Sequence, residues 1–363
     1  MILNPDFLII GGGIIGLATA FRLAKEGAQV TVVERNIVGA ESSWAGGGIL
    51  FPLLPWQYAA AVTDLCDLGA ARYPDWVASI QASSGLDAEY WNCGMLVLPP
   101  FDTDTAQIWC HQHQWRAEML SARNYLPEMT DIDALWLPDV AQVRNPRLIK
   151  SLRGAVSALG VQLMERTSIT ALAGDTHHIQ HLDTTNGKLL AGGYITCAGA
   201  WSQGVLSDFP PVKAIKPMRG QMLLFKSHPD LLKQVIYRQG IYLIPRMDGH
   251  ILAGSTVEDV GFDKATLPDT RSALMDTAFE LLPALRTAKL VQHWSGLRPG
   301  SPDNIPTIAR HPDVDNLYIN AGHFRYGVTM APISADLIAE VILGKTPGMD
   351  MTAYQWNEPA SVP

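Results

Sequence analysis

Three glycines, Gly11-x-Gly13-x-x-Gly16, stand between an apolar run, Phe7-Leu8-Ile9-Ile10, and a stretch with Leu17, Ala20, Phe21 and Ala24 at helical spacing. At a phosphate each glycine has its own task. Gly11 makes the tight turn, Gly13 lets a pyrophosphate approach the backbone, and Gly16 lets helix and strand pack closely. The start of the helix offers free N–H groups and a partial positive charge. Glu34 follows about twenty residues later, at the end of a second strand-like run from Gln29 to Val33, where a carboxylate accepts the ribose hydroxyls of an adenine dinucleotide. Strand, glycines, helix, strand and acid occur in order. The pattern predicts a bound dinucleotide and leaves FAD and NAD open.

Arg298, flanked by Gly296 and by Pro299-Gly300, is the next candidate. A guanidinium fork matches a carboxylate through two parallel hydrogen bonds; the alternative is a structural ion pair. Gly39-Ala40-Glu41-Ser42-Ser43-Trp44-Ala45-Gly46-Gly47-Gly48 is a small-residue loop that lets backbone approach a ligand. Cys110-His111-Gln112-His113 has the residue types of a zinc site but no second ligand pair nearby, and reads as a solvated helix face. The tryptophans from Trp44 to Trp136 read as packing. No Ser-His-Asp or paired-carboxylate constellation stands out.

These residues need elements to position them. Helices are expected over Ile14–Glu26, stopped by Gly27, over Asn145–Leu159 with Pro146 near its start, and over Arg271–Leu282. A last helix is expected to open at Pro332 and run to Leu343, with Gly344 as its stop. Strands are expected at Met95–Leu98, Tyr194–Cys197, Gln221–Phe225, Gly240–Ile244, His250–Gly254 and Leu317–Asn320. The chain has 363 residues, 47% of them hydrophobic, enough for two domains. No linker separates them, so they are expected to interleave. The formal charge of −8 argues against nucleic acid, which needs a basic face. Four cysteines without a CxxC pair fit a reducing cytoplasm. Phe7 to Ala24 is apolar, but its glycines and Arg22 argue against a membrane span, and no Lys or Arg precedes it as in a signal peptide.

Five blocks resemble the D-amino-acid oxidase superfamily of flavoproteins: Ile9 to Glu34, Ser42 to Leu50, Ala198-Gly199-Ala200-Trp201-Ser202, Gly296-Leu297-Arg298-Pro299-Gly300 and Gly322-His323-Phe324-Arg325-Tyr326-Gly327. The last two are most similar to the glycine oxidases of thiamine biosynthesis. The resemblance covers nearly the whole chain. It implies an α/β (α+β overall) fold, in which a Rossmann-type FAD-binding domain (residues 1–75, 140–215 and 306–363) is interleaved with a smaller substrate domain on an antiparallel sheet (76–139 and 216–305).

It also implies FAD held non-covalently. The relatives with covalent flavin use a Cys in the C-terminal part, and none follows Cys197. By resemblance, Gly11, Gly13, Ile14, Ile15 and Gly16 meet the pyrophosphate, and Glu34 and Arg35 the adenosine ribose. Ser42, Ser43, Gly47, Gly48 and Ile49 lie beside pyrophosphate and flavin, Ile169 against adenine. His323, Phe324, Arg325, Tyr326, Gly327, Val328 and Thr329 line the flavin ring; Tyr326 stands where glycine oxidases usually have Asn. Arg298 and Tyr242 bind the substrate carboxylate, Arg325 adds a cation, and Val257 crowds the pocket.

The implied reaction is oxidative deamination of glycine or small D-amino acids with dioxygen as acceptor. It gives keto acid, ammonia and hydrogen peroxide, or iminoglycine for thiazole synthase, and needs no catalytic base if the amine arrives neutral. The alternatives are a dehydrogenase passing electrons to a quinone or other carrier, a sarcosine or proline oxidase, and a flavin-bearing binding protein without turnover. The resemblance further suggests a homo-oligomer.

Overall fold

Phe7–Ile10 is apolar throughout because it lies inside a sheet. In this computed structural model, which describes residues 4–207, 209 and 213–356, a six-stranded sheet runs in the order Thr307–Arg310, Leu317–Ala321, Gly193–Thr196, Phe7–Ile10, Val30–Val33, Gln162–Met164. All neighbours are parallel except the antiparallel edge strand Thr307–Arg310. Both faces are covered, as parallel sheets require. On one face, the helices Ile14–Lys25, Ala60–Ser84, Asn145–Ala158 and Gly327–Ile342 bury Leu17, Phe21, Leu65, Tyr73, Leu152 and Ile338 against Ile9, Val32 and Ile195. On the other, Leu8, Ile10 and Tyr194 meet Ile179 and Leu182 of a three-stranded antiparallel sheet.

An eight-stranded sheet stands beside it, in the order Lys289–Gly300, Lys216–Lys226, His250–Gly254, Ile241–Pro245, Val235–Arg238, Met95–Val97, Asp133–Leu137, Glu118–Ser121. Only Val235–Arg238 and Met95–Val97 run parallel. Side chains alternate between its faces. Leu243 packs under the helix Pro268–Leu281, whereas Tyr242 and Ile244 point the other way, into a cluster with Phe51 and Met222. This second face looks toward the first sheet.

Most expected elements form within a residue or two of their expected bounds. The last helix does not. It starts at Gly327, and Pro332 lies inside it. A proline there leaves the carbonyl four residues back without its helical N–H donor; that carbonyl, on Val328, accepts instead from the Tyr73 hydroxyl at 2.7 Å. The Cys110–His113 segment is less solvated than expected. Cys110 is buried, the His113 ring stacks on Trp109 at 4.0 Å, and its Nδ1 lies 2.6 Å from Asp67. The helix Ala60–Ser84 crosses the expected domain cut at residue 75. Residues 1–3, 208, 210–212 and 357–363 of the expected FAD-binding segments lie outside the described residues. All four cysteines are free. Among the described residues no helix is long and apolar enough to cross a membrane.

Candidate active site

At the end of the first strand Gly11 adopts φ +108, and a Cβ there would lie 2.5 Å from the Cys197 carbonyl oxygen. A Cβ on Gly16 would come within 1.9 Å of the Gly11 carbonyl oxygen. Both glycines are demanded by the turn itself. Gly13 is different: a Cβ would meet only the Ser43 hydroxyl, at 3.1 Å, and the rest of its surroundings are open. The Ile14 N–H donates to Ser43 Oγ at 2.8 Å, and the Ser43 carbonyl accepts from the buried Asn145 Nδ2 at 2.8 Å. Glu34 is held by two amides, Gly12 N–H on Oε2 at 2.8 Å and Asn36 N–H on Oε1 at 2.9 Å. Each oxygen retains a lone pair for a hydroxyl. Arg35 lies over the Trp201 ring at 3.5 Å and pairs with Glu41 at 3.2 Å.

These groups border one cavity of about 380 Å³ between the two sheets, within the range of small-molecule sites. Toward one end are Glu34, Arg35, Thr167, Ser168, Ile169 and Trp201; then come Gly11, Gly13, Ile14, Ile15, Ser42 and Ser43. Gly47, Gly48, Ile49, Phe51, Tyr242, Ser255, Arg298 and the segment His323 to Val328 line the remainder. The N-terminus of the last helix, Gly327 and Val328, is therefore in the cavity wall.

Three residues expected at the site are not on the cavity wall. Gly16 is enclosed by its own turn. Thr329 is buried and donates to the Ile49 carbonyl at 3.2 Å. Val257 is 40% exposed and is not among the residues that line the cavity.

Arg298 lies in the long strand Lys289–Gly300, opposite Met218. Its guanidinium folds across Gly220, where a Cβ would lie 2.1 Å from Nη1. It donates to the Thr256 carbonyl at 3.0 Å and to Ser255 Oγ at 2.7 Å, both neutral. No carboxylate among the described residues pairs with it. Burial pulls its pKa down; the Tyr242 hydroxyl opposes that shift and the Arg325 charge adds to it. The Tyr242 hydroxyl itself donates only to the weak thioether acceptor of Met222, at 3.8 Å. Arg325 is exposed and faces the cavity beside the Phe324 ring. Tyr326 is buried, edge-on to Tyr58 with ring centroids 5.4 Å apart, so its side chain packs the wall. His323 is 1% exposed, its Nε2 lies 2.9 Å from Ser334 Oγ, and burial pushes its pKa down to about 3. It is neutral at physiological pH.

Sequence reasoning missed Phe51, Ser255, Asn145 and Gly220. Gly220 left a signal, since glycine inside a strand often marks a close approach. Nothing about Phe51 or Asn145 in the sequence sets it apart from core.

A model of the DAO family, FAD dependent oxidoreductase, matches residues 6–341. The chain is 40% identical to a glycine oxidase of Pseudomonas putida over 97% of this chain and 98% of that protein. It is 34% identical to a bifunctional protein ThiO/ThiG of Synechocystis over 94% of this chain and 52% of that longer protein. In fold it matches the crystal structure of glycine oxidase from Geobacillus kaustophilus with a TM-score of 0.93, at 24% identity, over 99% of this chain and 100% of that one. The cavity suits an adenine dinucleotide ending in a ring. A helix N-terminus opens at Gly13, a carboxylate with spare lone pairs sits on one side, and the walls on the other are glycine and apolar. FAD is the cofactor that these residues fit, and the chain belongs to the DAO family of FAD-dependent oxidoreductases.

Proposed function

We propose that this chain oxidises glycine and similarly small amino acids, giving the keto acid (glyoxylate from glycine), ammonia and hydrogen peroxide. The observation that carries the reading is Arg298: a guanidinium at the cavity wall, held by one hydroxyl and one carbonyl, with no carboxylate of its own. A bound carboxylate satisfies it as a bidentate partner. The glycine oxidase name of a relative that spans nearly the full length of both chains supports the substrate.

The chemistry that FAD supplies is acceptance of two electrons from the amino acid and their return to dioxygen. The protein binds and orients. Arg298 takes the carboxylate, with Tyr242 beside it, so the substrate Cα is fixed relative to the wall formed by Gly47, Gly48 and Ile49. Phe51, Leu53 and Ile49 make that part of the cavity apolar, which favours the neutral amine over the ammonium. His323 is tied to Ser334, and no Asp or Glu lies among the described wall residues near Arg298, so the substrate supplies its own lone pair. In this reading Glu34 and Arg35 serve the adenosine, and Ser42, Ser43 and the helix start serve the pyrophosphate. The segments 76–139 and 216–305 act as the substrate half and the remainder as the FAD half.

The imino product suits onward use in thiazole synthesis, a link supported by the bifunctional ThiO/ThiG relative. Residence in the cytoplasm, consistent with four free cysteines, and assembly into a homo-oligomer complete the proposal.

The test is a visible spectrum of the purified protein before and after anaerobic glycine. Bleaching of the flavin band, followed by stoichiometric peroxide on admitting air, is the expected result. A band unchanged by glycine but bleached by sarcosine or D-proline would overturn the substrate. Bleaching without peroxide in air would replace oxygen with another acceptor.

A further inference from the structure

Arg246 follows the strand Ile241–Pro245, is 4% exposed, and does not reach the cavity. Its Nη2 donates to the Gly47 carbonyl at 2.8 Å, and its Nη1 to the Val143 carbonyl at 2.9 Å and to Gln142 Oε1. Gln142 Nε2 in turn donates to the Pro245 carbonyl at 2.8 Å. Among the described residues no carboxylate touches this guanidinium. The nearby Glu89 and Asp248 are both paired with Arg144. Burial pulls its pKa down to about 10, so it remains a cation at neutral pH. A buried charge without a counter-ion is costly, and this one is spent on holding three oxygens in place.

One of those oxygens sets the direction of the cavity wall. The Gly47 carbonyl points at Arg246, and the Gly48 carbonyl accepts from Val143 N–H at 2.9 Å. In a trans peptide the N–H points opposite to the C=O. The amides of Gly48 and Ile49 therefore face away from Arg246 and Val143, on the side where Gly47, Gly48 and Ile49 line the cavity. Among the described residues neither amide has an acceptor. Fixed backbone donors aimed where negative charge develops stabilise that charge without reorganisation.

We propose that Arg246 is a positioning residue for the flavin: it locks the Gly47 carbonyl so that two amide donors face the cofactor, and its buried charge favours the reduced form. The proposal rests on FAD filling this cavity and not on which amino acid is oxidised, so its failure leaves the substrate reading untouched.

The test uses the holoenzyme with Arg246→Met and Arg246→Lys, and two readouts besides turnover. These are FAD affinity, from flavin-fluorescence titration of apoprotein, and the midpoint potential of bound FAD. Arg246→Met is expected to weaken FAD binding at least tenfold. It should also disfavour the reduced form about tenfold, which for two electrons is about 30 mV toward negative potential. Arg246→Lys keeps the charge but not the fork, and is expected to hold the potential near wild type while FAD affinity falls several-fold. A Met variant with wild-type affinity and potential, whatever its melting temperature, would overturn the proposal. If the Met variant does not fold, the Lys variant decides: wild-type FAD affinity there would equally overturn it.

Discussion

Around the glycine turn the cavity wall is backbone and small side chains: Gly11, Gly13, Ser43 and the start of the first helix, steadied by Asn145 and Glu34. Toward the other end it is large side chains, Arg298, Tyr242 and Phe51, delivered by separate segments. In the proposed function the first region takes a ligand common to many enzymes through N–H groups, which any sequence carries provided that glycine leaves room. In the proposed function the second takes one substrate through a charge, a hydroxyl and a volume. A change in the first is therefore expected to remove the cofactor, and a change in the second to change what is oxidised.

The sharpest way to break this contrast lies within the glycines. Gly13→Val meets only one hydroxyl in the fold, at 3.1 Å from the new Cβ, so the apoprotein is expected to fold yet lose FAD. Gly16→Val would press on backbone at 1.9 Å and is expected to prevent folding. Thermal melts with and without added FAD separate the two. A Gly13→Val protein that purifies yellow would remove the pyrophosphate assignment.

Next in size is Arg298→Met. Loss of a charged partner in a sheltered site costs about 2–5 kcal/mol, so kcat/KM for glycine is expected to fall by roughly 30- to 5,000-fold, with FAD content unchanged. Steady-state peroxide production at several glycine concentrations checks this. An unchanged KM would sink the carboxylate role.

His323 lies in a segment that lines the cavity yet works for the fold. Its folded pKa of about 3 lies below the usual 6.5, so between those values the unfolded chain takes up a proton that the folded chain refuses. Its contribution to stability is whole above pH 6.5 and falls as the pH drops through that window, by about 1.4 kcal/mol per pH unit. His323→Gln is expected to flatten the acid limb of denaturant stability against pH by that slope. Parallel limbs in the two proteins would show that the ring is not held neutral.

The smallest effect is expected at Phe51. Its ring is wedged edge-on against Trp115, with centroids 4.7 Å apart, and Trp115 Nε1 donates to Asp67 at 2.9 Å. A wall so braced is expected to limit the substrate side chain. Phe51→Leu is expected to raise kcat/KM for D-norvaline relative to glycine by roughly tenfold, the scale of one or two methylenes in an apolar pocket. An unchanged ratio would place the size limit elsewhere.

The same contrast explains how much could be read in advance. The pyrophosphate turn is contiguous, so Gly11 to Glu34 displayed strand, turn, helix and acid in one short span, and the structure keeps that order. Arg298 stood out through its glycine-flanked setting and a family block, and Tyr242 through the resemblance alone. Their meeting depends on the pairing of distant strands, which no local pattern encodes. Pro332 was taken for a helix start because its usual position is there; the Tyr73 hydroxyl that makes an interior proline tolerable lies on another helix.

The strand Phe7–Ile10, made first, pairs with Gly193–Thr196, and the cavity it borders is closed by Val328. During synthesis the glycine turn therefore leaves the ribosome long before its partners, and FAD cannot be enclosed until the last helix has emerged and Tyr73 has met Val328. Enclosure of the cofactor therefore waits on the last helix. A product truncated before that helix would expose the apolar faces of Leu65 and Tyr73, marking it for quality control before it could ever turn over a substrate.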